Sequence, residues 1–141
     1  MDDKLQLQSQ VCFPIYSLSR EIINRYRPFL DELEITYPQY LVLMVLWESG
    51  IQTVNQIGEK LNLDSGTLTP LLKRMEAKGL VHRTRKRSDE RVVEITLSDE
   101  GKKLKERAKF VPEKLMASID LTAEELDELR RVVTKILEKT R

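Results

Sequence analysis

The chain has 141 residues, with 24 Lys and Arg against 23 Asp and Glu, and is 40% apolar and 33% charged. That length suits one domain that buries roughly 65–70% of its unfolded surface, and 6% aromatic residues with five glycines speak against a sandwich or barrel. A single cysteine excludes an intrachain disulfide, and one cysteine with one histidine excludes an ordinary zinc site. The start, Met1-Asp2-Asp3-Lys4, lacks the basic and apolar parts of a signal peptide, and the longest apolar run, Tyr40–Trp47, is too short to span a bilayer. A cytoplasmic protein is the default expectation. The net charge of +1 hides an asymmetry: Ser65–Arg91 holds eight basic and three acidic residues, a local +5 that leaves −4 for the rest. A basic patch on a faintly acidic body steers DNA to one face.

Residues 1–8 are polar and read as frayed. A first long helix is expected from about Ser9 to Leu33, with Ile15, Leu18, Ile22, Tyr26, Phe29 and Leu33 as its apolar stripe. Pro14 lacks an N–H and must sit in the first turn, which places the start near Ser9–Cys12; Pro28 predicts a bend or an early end near Tyr26–Arg27. Thr36 and Gln39 form a capping box that opens a second helix, apolar on nearly every side from Tyr40 to Trp47 and therefore buried, with Ser49-Gly50 as its end. Thr53 and Gln56 form another box before a short helix with Val54, Ile57 and Leu61 inward.

After a turn at Asn62-Leu63-Asp64, a polar cluster (Asp64, Ser65, Gly66, Thr67) opens a helix with Leu68, Leu71, Leu72 and Met75 turned inward and Gly79 closing it. Read from a Ser65 cap, Pro70 falls at the fifth helical position and predicts a distorted first turn. Two short helices across a tight turn are the helix-turn-helix signal. Two strand-like runs follow, Leu80–Thr84 and Val92–Leu97, joined by a basic tip from Arg85 to Arg91. Ser98-Asp99-Glu100 caps a long charged helix to about Ser118, kinked by Pro112. Thr122–Glu125 caps a last helix with Leu126, Leu129, Val133 and Ile136 on one stripe. There is no internal repeat. The expected class is mainly α with a small β-wing.

The segment Asp89-Glu90-Arg91-Val92-Val93-Glu94-Ile95-Thr96-Leu97-Ser98 resembles the wing signature of the multiple-antibiotic-resistance regulator (MarR) family, D-x-R-x-x-x-[IV]-x-L-[ST]. Leu63–Arg74 resembles that family's recognition helix. The blocks Gln10-Val11-Cys12-Phe13-Pro14-Ile15-Tyr16 and Ile35-Thr36-Tyr37-Pro38-Gln39-Tyr40 are similar to the branch that senses organic hydroperoxides. The resemblance covers nearly the whole chain. It implies a homodimeric repressor in a single domain, 1–141, with dimerisation helices at about 9–33 and 99–141 and a winged helix part at about 36–98. It implies recognition helices in the major grooves of an inverted-repeat duplex, wings in the minor grooves, and a peroxide-sensing cysteine near the N-terminus. One-cysteine members form a sulfenic acid, then a mixed disulfide with a low-molecular-weight thiol or a higher oxidation state. With no second cysteine, this chain departs from members that form an intersubunit disulfide.

For DNA, the hydroxyls of Ser65, Thr67 and Thr69 at the helix start suit phosphate and base-edge contacts, and Lys73 and Arg74 can reach backbone or guanine. Arg85, Lys86 and Arg87 make the tip basic. Arg91 is the minor-groove probe, with Asp89 two residues before it to hold its guanidinium. For redox sensing, Cys12 lies near a helix start, whose dipole favours an anion, and Tyr16 one turn on can donate to it. Tyr26 lies fourteen residues past Cys12, on the same face but about 21 Å along one straight helix. If Tyr26 serves Cys12 it comes from the other subunit, with the first helices antiparallel, and Tyr37 can act in the same way. His82 reads as a surface or phosphate contact, and Trp47 as core.

No cofactor, metal site or enzyme site is indicated. The competing readings are a related regulator released by a small aromatic ligand in the dimer cleft, with Cys12 structural, and an interaction or thiol-peroxidase-like module. The latter would lack, within the chain, the second thiol that turnover needs.

Overall fold

The computed structural model describes residues 3–140, which divide into two compact units at the Val111–Pro112 junction. In the first unit, two short 3-10 turns, Asp3–Leu5 and Leu7–Ser9, precede α1 (Cys12–Asp31). The expected fraying of residues 1–8 does not hold for the described part. The Gln10 side-chain amide donates to the carbonyls of Lys4 (2.6 Å) and Gln6 (3.0 Å) and closes these turns; Met1 and Asp2 lie outside the described residues. Pro14 falls in the first turn of α1, as the missing N–H requires. Pro28 does not end the helix, which runs on to Asp31. It sits in the last turn, where it leaves the Asn24 carbonyl without its i+4 N–H donor but does not break the helix.

The second helix, α2 (Tyr37–Ser49), is capped as read: Gln39 N–H donates to Thr36 Oγ1 (3.4 Å), and Thr36 N–H donates to Gln39 Oε1 (3.1 Å). Val42, Leu43, Val45 and Leu46 are buried on it, so α2 is the centre of the core. The Trp47 indole N–H donates to the Gly101 carbonyl (2.9 Å), which orients the one polar edge of that ring. Gly50 ends the helix at φ +71°.

A two-residue strand, β1 (Gln52–Thr53), follows and was not legible in the sequence. Then come α3 (Val54–Leu61) and α4 (Ser65–Ala77), packed through Ile57, Leu68, Leu72 and Met75. The cap of α4 is Asp64, not Ser65: its carboxylate accepts from Thr67 N–H at 2.7 Å. Pro70 therefore stands at the sixth helical position, and the helix continues unbroken through it. At the other end Gly79 N–H donates to Glu76 O and Leu80 N–H to Met75 O, a Schellman closure with Gly79 at φ +78°.

The hairpin is longer than the sequence reading. Strands β2 (Val81–Lys86) and β3 (Asp89–Leu97) pair antiparallel almost to the tip, with an irregularity between Arg85 and Lys86. Arg85, Lys86, Asp89 and Arg91 are thus strand residues rather than loop residues. The sheet order is β1-β3-β2.

Ser98 caps α5 (Asp99–Ala108). Gly101 fits against the Leu80 carbonyl so closely that a Cβ there would stand 2.2 Å from the oxygen. The single kinked helix expected to Ser118 is instead two: α5 ends at Ala108, a turn occupies Lys109–Phe110, and α6 (Val111–Ala117) begins beside Pro112. Proline favours the first turn of a new helix over the interior of an old one. In the second unit, Thr122 and Glu125 form the third capping box (3.1 Å in each direction), and α7 (Ala123–Thr140) follows.

Two apolar faces remain uncovered in the protomer. On α1 they include Phe13, Ile15, Tyr16 and Leu18, and on α7 Leu129, Val133, Ile136 and Leu137. Of the apolar stripe read along α1, Ile15 (54%) and Leu18 are exposed, Ile22, Tyr26 and Phe29 are half-buried, and Leu33, just beyond the helix, is buried (5%); Leu30, off that stripe, is buried as well.

Candidate DNA interface and redox site

The candidate DNA-binding side is assembled from α4 and the wing. Asn62 takes the left-handed conformation (φ +57°), and Leu63 N–H donates to Gly58 O (2.9 Å), which turns the chain from α3 into α4. Ser65, Thr69 and Lys73 follow at four-residue spacing, so they form one row along α4. That row lines a groove whose far wall carries Arg85 and Arg91 of the wing. Thr67 and Arg74, both exposed, stand on the other side of the helix's outward line. Lys86 and Arg87 are exposed near the hairpin tip. His82 is exposed on β2, opposite Thr96.

Arg91 projects freely, its side chain 91% exposed, yet it is braced at its base. Asp89 Oδ1 accepts from the Arg91 backbone N–H and from Nε, each at 3.1 Å, and Asp89 Oδ2 accepts from Nη2 at 3.3 Å. The Arg91 hydrogen bonds hold the Asp89 carboxyl below the usual carboxylate range. Arg85 is anchored to the Glu90 carbonyl (2.9 Å).

The sequence reading missed Arg83, which lines the same groove. Its backbone N–H donates to Glu76 Oε2 (3.0 Å) and its guanidinium lies 3.9 Å from Glu76 Oε1, tying β2 to α4. Its Nε is buried without a hydrogen-bond partner among the described residues. An acidic residue seven positions before an arginine, across a helix–strand junction, carries no local signal by which this pair could have been found.

The redox candidates fall into two groups. Cys12 is exposed and is the first residue of α1, preceded by Val11, whose side chain caps nothing. Tyr16 is one turn away, but no hydrogen bond joins it to Cys12; its ring instead lies under Arg20, with the guanidinium carbon 5.6 Å from the ring centre. Tyr26 and Tyr37 stand together elsewhere, ring centres 4.7 Å apart, and Tyr40 completes the cluster at 5.9 Å from Tyr26. In the sequence Tyr40 opens the buried apolar run and closes the Ile35–Tyr40 block. Burial, reinforced by Tyr37 and Tyr40, pushes the Tyr26 phenol up to about 12, and burial raises Tyr37 and Tyr40 as well. All three phenols are therefore neutral donors at neutral pH. Cys12 and Tyr26 lie on one continuous helix, so they do not meet within a protomer.

Among the described residues there is no cluster of metal-ligating side chains, and no helix is long and apolar enough to cross a membrane.

Comparison with known proteins agrees with this layout. The family described as transcriptional regulator SarA/Rot matches residues 22–108. The organic hydroperoxide resistance transcriptional regulator of Bacillus subtilis is 47% identical over 136 residues, covering 96% of this chain and 92% of that protein. Reduced AbfR bound to DNA superposes with a TM-score of 0.83 at 40% identity, covering 99% of this chain and 95% of that one. A mutant MarR from E. coli complexed with operator DNA superposes at 0.82 and 26% identity, covering 90% and 93%. The chain thus belongs to the MarR-like winged helix-turn-helix transcriptional regulators, in the branch of the organic hydroperoxide resistance regulator.

Proposed function

We propose that the chain is a dimeric, cytoplasmic transcriptional repressor that holds an inverted-repeat operator while Cys12 is reduced and releases it when an organic hydroperoxide oxidises that residue. The observation that carries this reading is the position of Cys12. It is exposed at the start of α1, on a helix whose N-terminal half exposes Phe13, Ile15 and Leu18. Burying that face against a second copy, with the α1 helices antiparallel, brings the partner's Tyr26 and Tyr37 toward Cys12.

In this arrangement the Cys12 thiolate attacks the distal peroxide oxygen. An S–O bond forms, the O–O bond breaks, and the alcohol leaves after taking a proton. A low-molecular-weight thiol then condenses with the sulfenic acid, giving a mixed disulfide and water. The neutral phenols donate to the thiolate, and the oxidised sulfur, bulkier and uncharged, pushes the helices apart. Two recognition helices read half-sites about 34 Å apart, so a small change in their spacing releases DNA. Ser65, Thr67, Thr69, Lys73, Arg74, Arg85, Lys86 and Arg87 are the proposed groove and phosphate contacts, and Arg91, braced by Asp89, enters the minor groove. The relatives are regulators rather than enzymes, and this chain reads the same way: one oxidation event is a signal, not a turnover.

The test is a footprint on an A·T-rich inverted-repeat duplex. Two protected half-sites one helical turn apart, lost on addition of an organic hydroperoxide with a small thiol, are expected. Protection that ignores the oxidant, or no sequence-specific protection, contradicts the reading.

A further inference from the structure

One side chain joins the C-terminal end of α4 to the α1–α2 turn and to the cap of α2. Lys78, the residue that caps α4, donates from Nζ to the Glu34 carbonyl and to Gln39 Oε1 (3.4 Å), across 44 and 39 residues of sequence. Both acceptors matter. Glu34 is one of two non-glycine residues at positive φ (+57°) among the described residues, in the turn between α1 and α2. That conformation is costly unless the surroundings hold it. Gln39 is 4% exposed, and its Oε1 also accepts the Thr36 N–H that closes the α2 capping box. Tyr37 is the first residue of the helix that this box starts, and its ring packs at a tilt against Tyr26. A further tie, Arg107 Nη2 to the Glu32 carbonyl (2.9 Å), holds the same turn from α5. The turn below the tyrosines thus has its carbonyls taken up by cations from two other helices.

From this geometry we infer that Lys78 is a positioning residue. Its ammonium fixes the recognition helix relative to the Thr36–Gln39 cap, and hence to Tyr37, so that movement at the tyrosines and movement of α4 are one event. Lys78 acts through Gln39 and Glu34, not by touching DNA. Its side-chain partner, Gln39, is one that no sequence pattern joins to it. The inference rests on the proposed reading for its consequence in operator binding, but the tie itself can be tested without DNA.

The experiment compares wild type, Lys78→Met, which keeps the stem and removes the charge, and Lys78→Arg, which keeps a donor cation. Amide exchange is read at Thr36 and Gln39 in the DNA-free protein, and binding is read on an operator duplex and a scrambled duplex across a salt series. Lys78→Met should speed exchange at Thr36 and Gln39. It should weaken operator binding about tenfold, the worth of one charge-assisted hydrogen bond. Scrambled-duplex binding and the salt slope should stay as in wild type, and Lys78→Arg should restore most of the loss. Unchanged exchange at Thr36 and Gln39 overturns the tie. Equal weakening on both duplexes, with the salt slope reduced by about one, also overturns the inference, because it marks Lys78 as a phosphate contact. If wild type prefers no inverted repeat, the proposed function fails; faster exchange in Lys78→Met would then still uphold the tie to Tyr37.

Discussion

At Tyr26, burial does more than fill space. A phenol pushed up to about 12 stays protonated well past the ordinary tyrosine range. The folded state therefore holds a proton that the unfolded chain loses near pH 10. Stability from this group is fully present below about pH 10 and is lost as pH rises toward 12. Urea unfolding at pH 9, 10 and 11 should show a midpoint that falls over this range, less steeply in Tyr26→Phe. The same variant removes the donor proposed to reach Cys12 in the partner, so Cys12 oxidation by an organic hydroperoxide should slow about tenfold. A rate equal to wild type would remove Tyr26 from the mechanism. Asp89 has the opposite sign. Its depressed carboxyl braces Arg91 above the ordinary carboxylate range and lets go only as pH falls through the lowered value. DNA affinity should thus not change through Asp89 between pH 5 and 8. Arg91→Ala should cost about tenfold or more in operator affinity and weaken the preference for A·T-rich flanks, read by anisotropy on matched duplexes.

Among the elements, those with local signals were legible and those set by distant contacts were not. The three capping boxes at Thr36, Thr53 and Thr122 each join residues three apart, and all three stand as read. At α4 the sequence offers Asp64 and Ser65 side by side, both good caps. The chain uses Asp64, whose carboxylate accepts the Thr67 N–H. Asp64→Ala should lower stability by about 1 kcal/mol, measured by chemical denaturation, whereas Ser65→Ala should leave stability nearly unchanged and act only on DNA binding. The two-residue strand β1 exists because β3 offers it partners at Ile95 and Glu94, so nothing local announces it. The wing strands reach nearly to the tip for the same reason. At the α5 start, the 2.2 Å approach of a Cβ on Gly101 to the Leu80 carbonyl predicts that Gly101→Ala costs roughly 1–3 kcal/mol or more. A thermal midpoint equal to wild type would show that the approach relaxes freely.

At the scale of the whole molecule, the candidate site was half visible. Ser65, Thr69 and Lys73 of α4 and Arg85 and Arg91 of the wing line one groove, whereas Thr67, Arg74, Lys86 and Arg87 are exposed outside its lining. Arg83, which ties β2 to α4, and Lys78, which ties α4 to the α1–α2 turn, depend on the fold and carry no local pattern. Cys12 and Tyr26 share a face of α1 but not a neighbourhood, so the redox chemistry as proposed needs two chains. Phe13, Ile15 and Leu18, exposed on α1, are apolar surface that such an assembly would bury. The central claim, that oxidation of Cys12 releases DNA, is tested most directly by a gel shift on an A·T-rich inverted-repeat duplex. Wild type and Cys12→Ser would be compared with and without an organic hydroperoxide and a small thiol. The account predicts that both bind when reduced, that wild type releases the duplex on oxidation, and that Cys12→Ser stays bound. Retention of DNA by oxidised wild type, or release by both proteins, contradicts it and turns attention to a small-molecule ligand.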